Sequence, residues 1–192
     1  GFRQPFVAQS RADIICDNAD MIKVMRKAGL QLMIFGFESG SDRVLKYLRK
    51  GCTREKNLKA ARICRELGVN IWANYMLGIP TETKEEVQET VNMLRKIRPD
   101  FCSAAYYTPH PGSDLFTYCR EKDLSLIQSH GDYTRYPGEP KIKGVDYEYI
   151  EQKLLESFET RRYHLIDRLA RAARQVGIPK AVRRVAKRLV VH

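Results

Sequence analysis

Between residues 6 and 107, short continuous apolar runs alternate with stretches whose apolar residues recur every three or four positions. The first pattern reads as strand and the second as amphipathic helix. Strand-like runs start at Phe6, Leu32, Val69 and Phe101. A helix from about Asn18 puts Met21, Ile22, Met25 and Ala28 on one face and stops at Gly29. Leu32–Phe37 is apolar throughout, the pattern of a strand buried on both faces. Ser41 is placed to cap a helix carrying Val44, Leu45 and Leu48 that stops at Gly51. Thr53 opens the next, with Leu58, Ala61 and Cys64 inward and Gly68 as its stop. Val69–Leu77 is a strand. Thr83 and Glu86 then form a capping box for a helix with Val87, Val91 and Leu94 inward, ending near Pro99. Phe101–Tyr107 is the last clear strand.

Such regular alternation predicts an α/β fold with a parallel sheet or partial β/α barrel over residues 1–117. Residues 118–145, richer in Gly, Pro and Tyr, read as a crossing loop. A long helix is expected from about Asp146 to Val176, and a last one after Gly177 and Pro179. Residues 118–192 are therefore a loop and a helical C-terminal extension.

The net charge of +11 changes this picture only at the tail. Residues 161–192 hold ten Lys/Arg against the single acid Asp167, while the rest of the chain is nearly neutral. Cys16, Cys52, Cys64, Cys102 and Cys119 form no C-x-x-C pair, and the four histidines form no H-x-x-x-H pair. That argues against a zinc site or a cluster held by these residues. An odd cysteine count fits a reducing, cytoplasmic compartment. No apolar run approaches the roughly 18 residues of a membrane span. The chain starts at Gly1 with an apolar segment close behind, as a fragment of a longer protein would.

In parallel α/β folds ligands meet the carboxyl ends of the strands, so the segments after each run carry the chemistry. Gly36-Phe37-Glu38-Ser39-Gly40-Ser41 is the first. Glu38 is placed to accept hydrogen bonds from ribose hydroxyls, and the same turn serves equally as a plain helix start capped by Ser41. Leu77-Gly78-Ile79-Pro80-Thr81-Glu82-Thr83 is the second. Its Gly-Ile-Pro edge is flat enough for a planar base, and it also reads as a turn feeding the Thr83 box. The third is Tyr106 to Ser113, stiffened by Pro109 and Pro111. His110 there is a candidate acid or base, or simply an exposed histidine between two prolines.

In this order and spacing, the three segments resemble the radical S-adenosylmethionine superfamily. Glu38-Ser39-Gly40-Ser41, followed by Arg49-Lys50-Gly51-Cys52-Thr53, resembles the family's fourth strand and helix. Met76 to Thr83 resembles the fifth strand, and Tyr107 to Ser113 the sixth strand of the branch with an N-terminal cobalamin-binding domain. The resemblance implies S-adenosylmethionine contacts at Glu38 to the ribose, Lys50 to the carboxylate, Asn74 and Arg11 as polar contacts, and Gly78, Ile79 and Pro80 on the adenine side. A cation is what a carboxylate needs. It also implies a [4Fe–4S] cluster on a C-x-x-x-C-x-x-C loop, which this sequence lacks. The cluster ligands and any cobalamin domain would then lie upstream, in the N-terminal remainder of the same protein. Radical modification or methylation of a small-molecule or lipid-like substrate is the implied activity.

The competing classes are a basic nucleic-acid-binding module and an unrelated β/α-barrel enzyme using Glu38 and Glu82 as acid and base. The first predicts bases interleaved with aromatics on one surface, whereas the bases here gather in the tail. That tail has Val182, Val185, Ala186, Leu189 and Val190 on one face and Arg183, Arg184, Lys187 and Arg188 around the other. It reads as a helix packed on the barrel with a solvated basic face, or as an attachment to an anionic membrane surface.

Overall fold

The computed structural model describes residues 4–134 and 136–162. Four strands, β1 (Phe6–Ser10), β2 (Leu30–Glu38), β3 (Asn70–Leu77) and β4 (Phe101–Tyr106), form one parallel sheet in the order β1-β2-β3-β4. The connections hold α1 (Ala12–Asp17), α2 (Ala19–Ala28), α3 (Asp42–Tyr47), α4 (Arg54–Glu66) and α5 (Lys84–Ile97). After β4 come α6 (Asp114–Glu121) and α7 (Tyr147–Glu159). This is the α/β pattern that the apolar periodicity predicts, with strand starts within about two residues of expectation, the ordinary spread of element boundaries.

One face of the sheet carries the core. Met33, Phe35 and Phe37 of β2 and Ile71, Ala73, Tyr75 and Leu77 of β3 are buried against Ile15, Ile22, Ala61, Cys64 and Leu94 from the helices. Phe35 and Phe37 stack with ring centroids 4.9 Å apart. The expectation that β2 is buried on both faces does not hold. Leu32, Ile34 and Gly36 on its other face are half-buried, and their neighbours Val7 and Phe101 are 54% and 47% exposed. Among the described residues, the main core cluster covers only one face of the sheet. Met21 of α2, expected inward, is likewise 43% exposed, while Ile22 carries the burial.

The helix starts follow local chemistry. Ser41, Thr53, Thr83 and Ser113 each accept a backbone N–H at the start of α3, α4, α5 and α6, satisfying one of the donors that a helix start leaves free. At Thr83 the box is complete, because the Glu86 carboxylate accepts from the Thr83 N–H in return. Two helices escape the sequence reading. α1 has no side-chain cap, and α6 runs across the expected boundary at 117/118.

Of the long helix expected from Asp146 to Val176, α7 is Tyr147–Glu159, where Thr160 turns its hydroxyl onto the Ser157 carbonyl, and positions 163–176 lie outside the described residues. α7 packs against α5 and the core through Ile150, and Ser157 hydrogen-bonds the buried Tyr75 hydroxyl. It therefore lies on the helical side of the sheet rather than over a ligand site. The basic helix from Pro179 onward, with its apolar stripe, lies outside the described residues. Among the described residues, no helix is long and apolar enough to cross a membrane.

Candidate functional site

A cavity of about 1460 Å³ opens at the carboxyl ends of the four strands, on the face away from the core. Strand register explains which side chains reach it. Gly36, Asn74 and Ser103 form one row across β2, β3 and β4, and Met76 and Ala105 form the row above. Arg11 enters just past the end of β1 and Glu38 at the end of β2, and all of these line the cavity.

Lys50 arrives from another direction. Its backbone N–H donates to the Leu45 carbonyl, closing the end of α3, and the chain turns back toward the sheet. Lys50 Nζ meets Glu38 Oε1 at 2.8 Å, with both side chains about a quarter exposed. Arg11 is held by both oxygens of Asp13, at 3.0 and 2.8 Å. Four expected contact residues, Arg11, Glu38, Lys50 and Asn74, thus share one cavity. Glu38 and Lys50 face each other, where the sequence reading gave them separate partners.

Two local features hold that pair. Glu38 has φ 63°, a left-handed conformation unusual for a residue with a side chain, and it follows a register shift between β2 and β3. Gly36 leaves the room. A Cβ there would lie 2.5 Å from Glu38 Oε1 and 3.1 Å from Lys50 Nζ. Because the obstructed atoms are ends of flexible side chains, Gly36→Ala is expected to change the melting temperature little. It is expected to displace the pair and weaken ligand binding at the site about tenfold, near 1.4 kcal/mol. A melt and a ligand titration of the same variant check this.

Gly78, Ile79 and Pro80 come to the correct end of the sheet but not to the cavity wall. All three are buried, and Ile79 packs with Val44, Tyr107, Cys119 and Ile142. The N–H groups of Gly78 and Ile79 donate to Glu82 Oε2 at 2.9 and 3.3 Å. A Cβ on Gly78 would meet Ile150, Val145 and Tyr147. The edge expected to be open for a planar base is thus covered by the chain around α7. Glu82 does not line the cavity either, so a Glu38–Glu82 acid–base pair finds no support. Its role here is to tie the turn. Burial pushes its carboxyl up to about 7, against the pull of the two N–H groups, and its Oε1 has no partner.

His110 is half-buried rather than exposed. It lines the cavity, its ring lies 5.5 Å from that of Tyr133, and its Nε2 is buried without a partner. Cysteine chemistry points elsewhere. Burial pushes the Cys64 and Cys102 thiols up to about 12, which disfavours the thiolate that iron requires. Among the described residues, no three His, Cys, Asp or Glu side chains are grouped to hold a metal.

The sequence reading missed Gln9 and Ser103, which face the cavity from β1 and β4, and Tyr47 and Tyr118 on its wall; Tyr107 it reached only as part of the segment from Tyr106 to Ser113. Alternation along β4 carries a signal for Ser103, because Phe101, Ser103 and Ala105 share the face of Trp72, Asn74 and Met76. Tyr47 and Tyr118 meet edge to face at 6.3 Å from helices far apart in sequence, and no local pattern reveals that.

The sequence profile described as "Radical SAM superfamily" matches residues 8–94, the stretch that builds three strands and most of this site. Over that stretch, just under half of its length, the chain resembles the radical SAM superfamily. Its relatives include a protein described as an uncharacterized methyltransferase from Pyrococcus horikoshii, 29% identical over 153 residues, covering 80% of this chain and 33% of the relative. The anaerobic magnesium-protoporphyrin IX monomethyl ester cyclase of Rubrivivax gelatinosus is 34% identical over 110 residues, covering 57% of this chain and 20% of the cyclase. Coproporphyrinogen III oxidase of Escherichia coli, described as a radical SAM enzyme, shares the fold with TM-score 0.58 and 16% identity, over 86% of this chain and 38% of the oxidase. The chain spans about a third or less of the two sequence relatives.

The side chains present fit S-adenosylmethionine. Arg11 and Lys50 are cations suited to its carboxylate, and Glu38 is an acceptor suited to ribose hydroxyls. Asn74 adds an amide, and Gly36 keeps the floor between them open.

Proposed function

We propose that this chain forms part of the S-adenosylmethionine site of a radical enzyme whose [4Fe–4S] cluster is held by residues upstream of it. The observation that carries the reading is the grouping of Glu38, Lys50, Arg11 and Asn74 around one cavity at the carboxyl ends of the strands. If bound here beside a reduced cluster, S-adenosylmethionine would supply the radical chemistry. The residues of this chain bind and orient it. Lys50 exchanges part of its bond to Glu38 for the methionyl carboxylate, Glu38 accepts from the ribose hydroxyls, and Asn74 hydrogen-bonds from the sheet floor. Gly78, Ile79 and Pro80 act from behind the wall by fixing the end of β3. The Tyr107–Ser113 stretch supports placing the enzyme in the cobalamin-binding branch, and the relative described as a methyltransferase is in keeping with methyl transfer.

Lys50→Ala in the full-length enzyme is expected to weaken S-adenosylmethionine binding by about 1.5–3 kcal/mol, the worth of a charge-assisted contact. Calorimetric titration of wild type and variant checks this. Equal affinities would remove Lys50 from the site.

A further inference from the structure

The cavity extends well beyond the four residues assigned to S-adenosylmethionine. It continues between α3, the loop after β4 and α6, and the character of its wall changes there. Tyr47, Tyr107, Tyr118 and Tyr136 line this part together with His110. Few aliphatic side chains join them, Leu48 and Leu115 among them. Tyr136 is 84% exposed, so a large ring stands at the mouth with little to cover it. The Tyr47 hydroxyl and His110 Nε2 are buried and have no hydrogen-bond partner among the described residues.

Charge is the second observation. Five cations line the whole cavity, Arg11, Arg43, Lys46, Arg49 and Lys50, against the carboxylates Glu38 and Asp114. Arg43 is committed, because both Glu86 oxygens hold it at 2.6 Å and it pulls that carboxyl down to about 2. Lys50 and Arg11 belong to the proposed cofactor site. Lys46 makes no ion pair with any described residue, and Arg49, 81% exposed, pairs with Asp114 across the mouth. Lys46 in the last turn of α3 and Arg49, just past its C-cap with φ 51°, both line the cavity. The lobe beside the cofactor site therefore combines the unpaired charge of Lys46, and an Arg49 held only by an exposed ion pair, with ring-shaped walls.

We propose that this lobe binds the substrate, and that the substrate is a small anionic molecule with a flat aromatic or conjugated face. This rests on the cofactor reading above. Lys46 and Arg49 hold the anionic group, and the tyrosines stack on or edge against the ring. An aliphatic lipid would find the wrong walls here, since tyrosine rings bring hydroxyls that a hydrocarbon chain cannot satisfy.

The test uses the full-length protein and four soluble probes: naphthalene-2,6-dicarboxylate, 2-naphthoate, 2-naphthalenemethanol and decanoate. Binding is measured by titration calorimetry at low and high salt, with S-adenosylmethionine titrated separately. The dicarboxylate is expected to bind most tightly, 2-naphthoate less so, and the neutral alcohol and decanoate weakest, with the anionic arms losing affinity as salt rises. Lys46→Gln with Arg49→Gln is expected to raise the dicarboxylate Kd about tenfold or more and to leave S-adenosylmethionine binding unchanged, which also shows that the variant is folded. Lys50→Ala is expected to do the reverse. No dicarboxylate binding at millimolar concentration, equal binding of the neutral alcohol, or an unchanged Kd in the double variant would overturn the proposal. Tighter binding of decanoate would overturn it in favour of a lipid. If Lys50→Ala leaves S-adenosylmethionine binding intact, the cofactor reading fails separately, because the probe series is decided by Lys46 and Arg49.

Discussion

Asp100→Ala is expected to lower folding stability by about 3–5 kcal/mol, a large share of what a domain of this size has. Asp100 precedes β4 and its side chain is fully buried. Its Oδ2 accepts from the Ile71 N–H at 2.7 Å and from Arg65, and its own N–H donates to the Ile71 carbonyl. One carboxylate thus ties the start of β3 to the entry of β4 and neutralises an arginine that is three-quarters covered. Alanine leaves a buried N–H without an acceptor and a guanidinium without its counter-charge, and small cores cannot absorb both. Asp100→Asn, which can keep the acceptor for Ile71, is expected to lose clearly less. Urea unfolding at neutral pH checks the pair: the midpoint should fall with an unchanged slope, and more for Ala than for Asn. Similar midpoints for wild type and Asp100→Ala would show that this tie contributes little.

The second large effect depends on pH. Glu82 has its carboxyl pushed from the ordinary 4.5 up to about 7 by burial. The folded protein therefore keeps a proton that the unfolded chain gives up. Its contribution is fully present below about pH 4.5 and is lost as pH rises through about 7, with a span of roughly 3 kcal/mol. Glu82→Gln is neutral throughout and keeps an acceptor for the Gly78 and Ile79 N–H groups. Its melting temperature is expected to match wild type near pH 5 and to exceed it above pH 7. Glu86 contributes in the opposite direction and in another window. With its carboxyl held down to about 2 by Arg43, its contribution is present above about 4.5 and falls away on further acidification. Melts of wild type and Glu82→Gln from about pH 5 to 8 separate the two. A constant difference across that range would mean that Glu82 is ionised in the fold.

Much of the fold was legible because its signals are local. Ser41, Thr53 and Thr83 announce their helices within three residues, and the apolar runs of β2 and β3 are long enough to stand out. α1 was not legible, because Ala12–Asp17 is short and Arg11 before it offers no side-chain cap. The end of α7 at Glu159 was not legible either, since apolar periodicity continues past it while the chain turns at Thr160. At the site, Glu38 followed from a strand end, and Asn74 and Lys50 only from the resemblance to the family's motifs. The burial of Gly78, Ile79 and Pro80 depends on Val145, Tyr147 and Ile150, some 70 residues away in the chain. The tyrosine wall depends likewise on α3 and α6 meeting in space. Both are tertiary events that no local window contains.

The sheet order β1-β2-β3-β4 is also the order of synthesis. Each strand after the first, as it is made, can pair with the one finished just before it. The helix between them is already complete and can cover the new pair at once. Growth on this plan is vectorial: the sheet lengthens in the direction of translation, and each closure spans a single crossover, the least that a parallel pair allows. At every stage the youngest strand is the bare edge on that side, and the next segment to emerge is the one that pairs with it.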